Sequence, residues 1–254
     1  FGDGGSAFDP QDYGQSMREP LGAILRIDPL SASGARAYGV PPDNPFVDAG
    51  PEVAPEIWAY GLRHAQHFSF DGAGRMFIND IGQNHIEEVN LGIAGGNYGW
   101  RIREGTFATG QGIAGGYLGY MFAAPLDPTP LQYPVAQYDH DEGKAIGGGY
   151  VYEGAAVPEL RGKYVFTDLV DGRVFYIDST GLEAGKQQAI HELRIFVDGR
   201  ERDLLDVLGF ENTYAPGQKR ADLRIGRDNA GELYLLSKGD GWVRKIVAHT
   251  PHQT

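Results

Sequence analysis

The 254-residue chain carries 41% hydrophobic residues, enough to bury a substantial core, and its formal charge of −12 argues against a nucleic-acid backbone or an anionic membrane surface as partner. It has no cysteine, which excludes disulfides and thiolate chemistry, and no apolar run long enough for membrane insertion. With 38 glycines, 15 prolines and no long stretch of helical periodicity, the composition is that of an all-β protein rich in tight turns.

In chain order, Phe1 to Gly5 reads as a turn and Ser6 to Glu19 as a polar loop. The chain opens in mid-pattern without a methionine, so the expectation is a mature or truncated piece of a longer protein. Leu21 to Asp28 alternates as a strand that Pro29 ends, and residues 30 to 55, with five prolines and no periodicity, form an extended surface connection. Two strands follow, Phe68 to Phe70 and Arg75 to Asn79, joined by Asp71-Gly72-Ala73-Gly74, whose glycines supply the positive φ of a tight hairpin. The polar stretch Asp80 to Glu88 is expected to be a loop, Val89 to Leu91 a short strand, and Gly95 to Trp100 too glycine-rich for helix. Arg101 to Tyr133 reads as a loop-rich insertion. Ile146 to Tyr152, Lys163 to Thr167 and Arg173 to Asp178 form the next strand set. Its Gly147-Gly148-Gly149 entry is a bend, because neither a Lys-Ser or Lys-Thr pair nor a helix follows to make a phosphate loop. The tail repeats the scheme with strands at Asp222 to Ile225, Glu232 to Ser237 and Trp242 to Val247, and turns at Asp228 to Gly231 and Gly239 to Gly241.

Short strands beginning near Ile24, Val89, Val174 and Val243 each end a unit, at intervals longer than the roughly 40 to 50 residues of common propeller blades. That spacing fits a β-propeller with enlarged loops, and a β-sandwich is the rival architecture. The expected fold is therefore an all-β propeller forming one domain over residues 1–254.

The loop from Asp80 to Glu88 gathers carboxylates, amides and a histidine beside Gly82, where backbone carbonyls can turn toward a hard cation. Taken alone, acidic loop residues are more often just solvated. His140, inside Tyr138 to Glu142, likewise reads as a hydrated turn rather than a zinc ligand. Tyr98 and Trp100 read first as packing aromatics, with the lining of a sugar site as the functional alternative.

The strings EIWAYGLRHAQHFSFD, DIGQNHIEEVNLGIAGGNYGW, GGGYVYEG and GKYVFTDLVDGRVFYI, preceded by GDGG, LGAILRID and PPDNPF, resemble the soluble quinoprotein glucose/sorbosone dehydrogenase family, also called aldose sugar dehydrogenases. The likeness runs over nearly the whole chain. It implies a six-bladed β-propeller, of which about four blades are accounted for, that binds pyrroloquinoline quinone (PQQ) and calcium at one end of its channel. It further implies oxidation of a sugar substrate with transfer of electrons to an external acceptor, in a periplasmic or secreted protein. The family's segment before GDGG is not in the sequence, and with it the histidine that resembling enzymes use as base, so the catalytic base is unassigned. Association with the missing blades or with a second copy is a corresponding expectation.

By resemblance the carbonyls of Gly82 and Gln83 are calcium ligands, Glu87 stands at the acidic position just beyond, and Glu88 with the backbone of Tyr98 forms a second, structural calcium site. Arg63 and His64 occupy the positions at which the family presents an arginine and an asparagine to quinone and substrate. An arginine there can clamp a carboxylate, whereas a lone arginine or histidine is more often a surface ion pair or a structural residue. Lys219 and Arg220 stand near an Arg-x-Arg cofactor clamp, shifted by one at one position, and Ser237 takes the place of a threonine; a solvated loop is the competing account of the two cations. Val170 replaces a lysine, and Ala221 lies in the altered clamp. Three functions follow: a PQQ- and calcium-dependent aldose dehydrogenase, a non-catalytic calcium-binding propeller for a carbohydrate or protein partner, and a calcium-dependent hydrolase such as a lactonase.

Overall fold

The computed structural model describes residues 1–32, 34, 36–110, 121–125, 130–211, 213 and 215–249. The expected loop-rich insertion between Arg101 and Tyr133 therefore lies partly outside the described residues. The chain begins with β1 (Ala23–Leu25) paired antiparallel to β2 (Ile57–Tyr60), and the described residues of the proline-rich connection between them carry nothing longer than isolated bridges. Next comes a four-stranded sheet in the order β3 (His67–Phe70), β4 (Met76–Asp80), β5 (Ile86–Leu91) and β9 (Ala136–Asp139). Between β5 and β9 the chain makes an excursion through β6 (Arg103–Glu104), β7 (Phe107–Thr109) and β8 (Met121–Phe122). A second four-stranded sheet follows as β10 (Ile146–Val151), β11 (Lys163–Asp168), β12 (Val174–Asp178) and β13 (His191–Glu192). After two small ribbons, β14 (Phe196–Val197) with β15 (Arg200–Glu201) and β16 (Phe210–Glu211) with β17 (Lys219–Arg220), the chain ends in β18 (Leu223–Arg227), β19 (Leu233–Ser237) and β20 (Val243–Lys245).

These sheets stand face to face in sequence order because their strands are apolar on both sides. Along β11, Tyr164 and Phe166 enter one core with Phe77, Ile146, Phe175 and Ile177, while Val165 between them enters the next with Leu223, Ile225, Leu233 and Leu235. Successive side chains of a strand point to opposite faces, so a sheet feeding two cores has a neighbour on each side. Phe77 of β4 stacks on Tyr164 with ring centroids 4.4 Å apart, and its neighbours Met76 and Ile78 turn the other way onto Ile24, Ala59 and Leu62. The first strands β3, β10 and β18 are in contact in that order, and Arg227 at the end of β18 donates across to the Phe70 carbonyl at the end of β3 (3.2 Å). This all-β arrangement of successive radial blades is that of a β-propeller.

Local chemistry explains the turns. Asp71 Oδ1 accepts the N–H groups of Ala73 and Arg75 at 3.0 and 2.8 Å, and Asp228 Oδ1 accepts those of Ala230 and Glu232, both at 2.9 Å. Gly74 and Gly231 close the two turns at φ near +80°, a conformation that costs glycine nothing. The same hairpin thus recurs in two blades, and Glu153 ties them by accepting from Gly72 N–H (2.7 Å) and Arg227 Nη1 (3.0 Å).

Two elements depart from the sequence expectations. Strand β5 begins at Ile86, so Glu87 and Glu88 lie in the sheet and the loop shrinks to residues 81–85. Burial of the two carboxylates is offset by hydrogen bonds from distant parts of the chain, described below. A short helix, α1 (Leu204–Leu208), forms where none was expected. It buries Leu204 and Leu208 one turn apart, and Asp203 caps it by accepting Leu205 N–H at 2.8 Å.

Candidate site at the channel mouth

Strands β3, β10 and β18 all start at one end of the blades. The ladders place His67 opposite Asn79, Ile146 opposite Asp168 and Leu223 opposite Ser237. The segments that enter β3 and β18, and the loops that leave β4, β11 and β19, therefore cluster at this end. His67 and Arg224 are close enough across it for the guanidinium to add to the lowering of the imidazole pKa that burial begins.

On the first side, Asp80 organises Arg63 and His64. Its buried carboxylate accepts the Arg63 N–H at 2.9 Å and the His64 N–H at 2.6 Å. Arg63 Nη1 donates to the Ile81 carbonyl at 3.2 Å, while its Nε is buried without a hydrogen-bond partner. The His64 ring packs against Gly2, where a Cβ would lie 2.6 Å from Nδ1. Burial first, and the Arg63 charge second, hold the His64 pKa below its ordinary value, so the ring is neutral at pH 7. Asp3 braces this segment from behind through its N–H on the Arg63 carbonyl (2.9 Å), and its carboxylate accepts Trp100 Nε1 at 2.9 Å.

The loop after β4 is shaped by Glu104. One oxygen of this fully buried carboxylate accepts four consecutive backbone N–H groups, those of Gln83, Asn84, His85 and Ile86, at 2.9, 3.2, 2.9 and 3.1 Å. Across a planar trans peptide the carbonyl points opposite to the next N–H. The carbonyls of Gly82 and Gln83 are thus turned away from Glu104. Gly82 has to be glycine, since a Cβ there would lie 1.8 Å from the Ile86 carbonyl oxygen. Gln83 Oε1 accepts the Phe8 N–H at 3.2 Å, which ties the loop to the N-terminal segment.

The two glutamates of β5 face opposite ways. Glu87 engages His140 Nε2 at 2.9 Å with one oxygen and accepts the Ile146 N–H at 2.8 Å with the other. Glu88 accepts Asn90 Nδ2 and the Gly105 N–H, at 2.9 and 2.5 Å, on the side of Asp80 and Glu104. Burial raises the pKa of all three of Asp80, Glu87 and Glu88, Asp80 to about 7 and Glu88 to about 8, with the Asp80 charge adding to the effect on Glu88. Tyr98 spans from blade to sheet through its hydroxyl, which donates to the Leu91 carbonyl (2.6 Å), and burial drives its phenol well above the usual range. Among the described residues no group of three or more His, Asp or Glu side chains is placed to hold a metal ion. A cation at this end would rely on backbone oxygens, as Gly82 and Gln83 provide.

On the other side, Lys219 is exposed and Arg220 half-buried. Arg220 Nη2 donates to Asp222 at 2.6 Å, and its Nε is buried without a partner. Ser237 Oγ donates to the Ala221 carbonyl at 2.8 Å, and the Ala221 N–H bonds the Val170 carbonyl at the same distance. The fold thus brings Val170, Lys219, Arg220, Ala221 and Ser237 into one neighbourhood. In the sequence Asp80 stands out only as one polar residue of its loop. Glu104 is not anticipated as a site residue, and neither is the pairing of Glu87 with His140, because the partners are distant in sequence; Asp222, two residues from its partner Arg220, is a further site residue that sequence reasoning does not single out.

A family model described as "Glucose / Sorbosone dehydrogenase" matches residues 1–206. HIPL1 protein of Arabidopsis thaliana is 37% identical over 259 residues, covering 93% of this chain and 35% of its own length. Aldose sugar dehydrogenase YliI of Escherichia coli K12 is 36% identical over 199 residues, covering 78% of the chain and 45% of itself. The solved PQQ-bound aldose sugar dehydrogenase of Streptomyces coelicolor superposes with a TM-score of 0.58 at 22% identity, over 97% of the chain and 56% of that structure. The chain therefore spans well under two thirds of the length of each. No helix among the described residues is long and apolar enough to cross a membrane.

Proposed function

The chain belongs to the glucose/sorbosone dehydrogenase family, and on that premise we propose that it forms part of a periplasmic or secreted quinoprotein oxidising aldose sugars to lactones, with PQQ and calcium held at the channel mouth. The observation that carries this reading is the pairing of outward carbonyls at Gly82 and Gln83 with a neighbouring arginine, Arg63, whose buried Nε has no partner. The carbonyls suit a hard cation, and the guanidinium suits a cofactor carboxylate. When bound, the quinone supplies the two-electron acceptor and calcium polarises its carbonyl. Of the chain's own residues, Arg63 and Arg220 would bind the cofactor, Asp80 fixes the backbone that presents Arg63, and His64 offers a neutral imidazole for hydrogen bonding to cofactor or sugar.

Proton removal from the sugar hydroxyl contributes about 10²- to 10⁴-fold to such oxidations. No base is assigned among these residues by resemblance. Supplied with PQQ, calcium and an artificial acceptor, the 254-residue chain is expected to reduce dye very slowly or not at all with any aldose, whereas a chain extended upstream to its relatives' length is active. Aldose-independent behaviour of the extended chain would contradict the reading. Strong activity of the short chain would place the base within it, with His64 the first residue to replace.

A second reading, a non-catalytic propeller binding calcium and a carbohydrate or protein partner, draws on the tie between Arg220 and Asp222 at 2.6 Å. That ion pair, together with Val170 in place of a lysine, weakens the cationic clamp.

A further inference from the structure

We propose that Glu104 is a positioning residue for the cation site: it is the internal anchor that turns the carbonyls of the 82–85 segment outward. The inference rests on the calcium reading of Gly82 and Gln83 and adds a residue to which no role there is otherwise assigned. Four successive N–H groups converging on one carboxylate oxygen form a concave backbone nest, and what fills such a nest is usually a bound anion. Here the protein supplies the anion itself, from β6, with 1% of the residue exposed. The other oxygen, Oε2, is buried with no hydrogen-bond partner, 3.6 Å from His85 Nδ1. Within this loop the carboxylate is therefore committed through Oε1 alone, and that one atom holds all four backbone amides.

The consequence is geometric. With the N–H groups of Gln83 and Asn84 fixed inward, the carbonyls of Gly82 and Gln83 are fixed outward before any ligand arrives. Without the anchor, the four donors would seek water and the peptide planes would be free to rotate. A cation would then have to order the loop as it bound. Residues that orient metal ligands from behind typically affect metal affinity by about 10- to 100-fold.

Two substitutions separate reach from charge. Glu104→Gln keeps an acceptor oxygen at the same distance and removes the charge. Glu104→Asp keeps the charge and withdraws it by one methylene. Hydrogen–deuterium exchange of amides 83–86 reads the anchor, and terbium luminescence with calcium competition reads the site. The expected result is that Glu104→Asp speeds exchange of these amides and weakens cation binding by about tenfold or more, while Glu104→Gln leaves both within about threefold of the parent. The opposite order, with the aspartate variant intact and the glutamine variant weakened, would mean that charge and not anchoring matters, and would overturn the inference. So would unchanged amide exchange in both variants. Absence of cation binding in the parent chain would refute the calcium reading itself. The exchange data alone would then decide whether Glu104 holds the loop.

Discussion

Replacing Gly82 with alanine is expected to abolish calcium binding by the chain and, with it, calcium-dependent retention of PQQ. The methyl group would be built 1.8 Å from the Ile86 carbonyl oxygen and 2.7 Å from Glu104 Oε1, so the backbone must move. Both atoms belong to the arrangement that turns the loop's carbonyls outward, and neither can yield without breaking it. Overpacking of this kind costs about 1 to 3 kcal/mol of stability. The loss at the site should exceed that, since ligand geometry is lost outright. Isothermal titration with calcium would give no measurable heat for the variant, beside a thermal melt showing that it remains folded. Parent-like affinity would mean that the cation does not use this loop.

The second large effect concerns protein stripped of divalent cations, which is expected to be markedly less stable at pH 8.5 than at pH 5. Burial raises Asp80 to about 7 and Glu88 to about 8, whereas both titrate near 4 once unfolded. A raised carboxyl pKa means that the folded state keeps a proton the unfolded state has released. The stabilisation is therefore complete below about pH 4 and is lost as pH rises toward 8. A single carboxyl moved that far corresponds to about 4 kcal/mol. Calcium should flatten the profile, because a nearby cation favours the ionised carboxylates and stabilises the folded state that binds it. A metal-free melting temperature that is level from pH 5 to 8.5 would show that these groups are already ionised in the fold.

What was legible in the sequence was local. Asp71-Gly72-Ala73-Gly74 and Asp228-Asn229-Ala230-Gly231 announce their turns because the aspartate, the donors it holds and the positive-φ glycine lie within five residues. Apolar runs bounded by glycine turns pointed to most of β4, β11, β12 and β19, the recurring unit-ending strands pointed to a propeller, and the family strings pointed to its six blades. The polar stretch before Val89 was read as loop because two adjacent glutamates have no local reason to be buried. Their reasons are His140 and Ile146, more than fifty residues away, and the Gly105 N–H, seventeen away. Glu104 left no trace for the same reason, since its four donors lie 18 to 21 residues upstream. The meeting of Lys219, Arg220 and Ala221 with Val170 depends on how one blade packs against the next, which no local pattern encodes.

The most direct test of the account is a titration of PQQ into the 254-residue chain, followed by quenching of tryptophan fluorescence, with calcium present and after chelation. Saturable binding of one PQQ per chain is expected, dependent on calcium and weakened by about tenfold or more in Arg63→Ala, since a charge-assisted hydrogen bond, here from a half-buried arginine, is worth about 1.5 to 3 kcal/mol. Binding that does not saturate, or that ignores both calcium and Arg63, would contradict it.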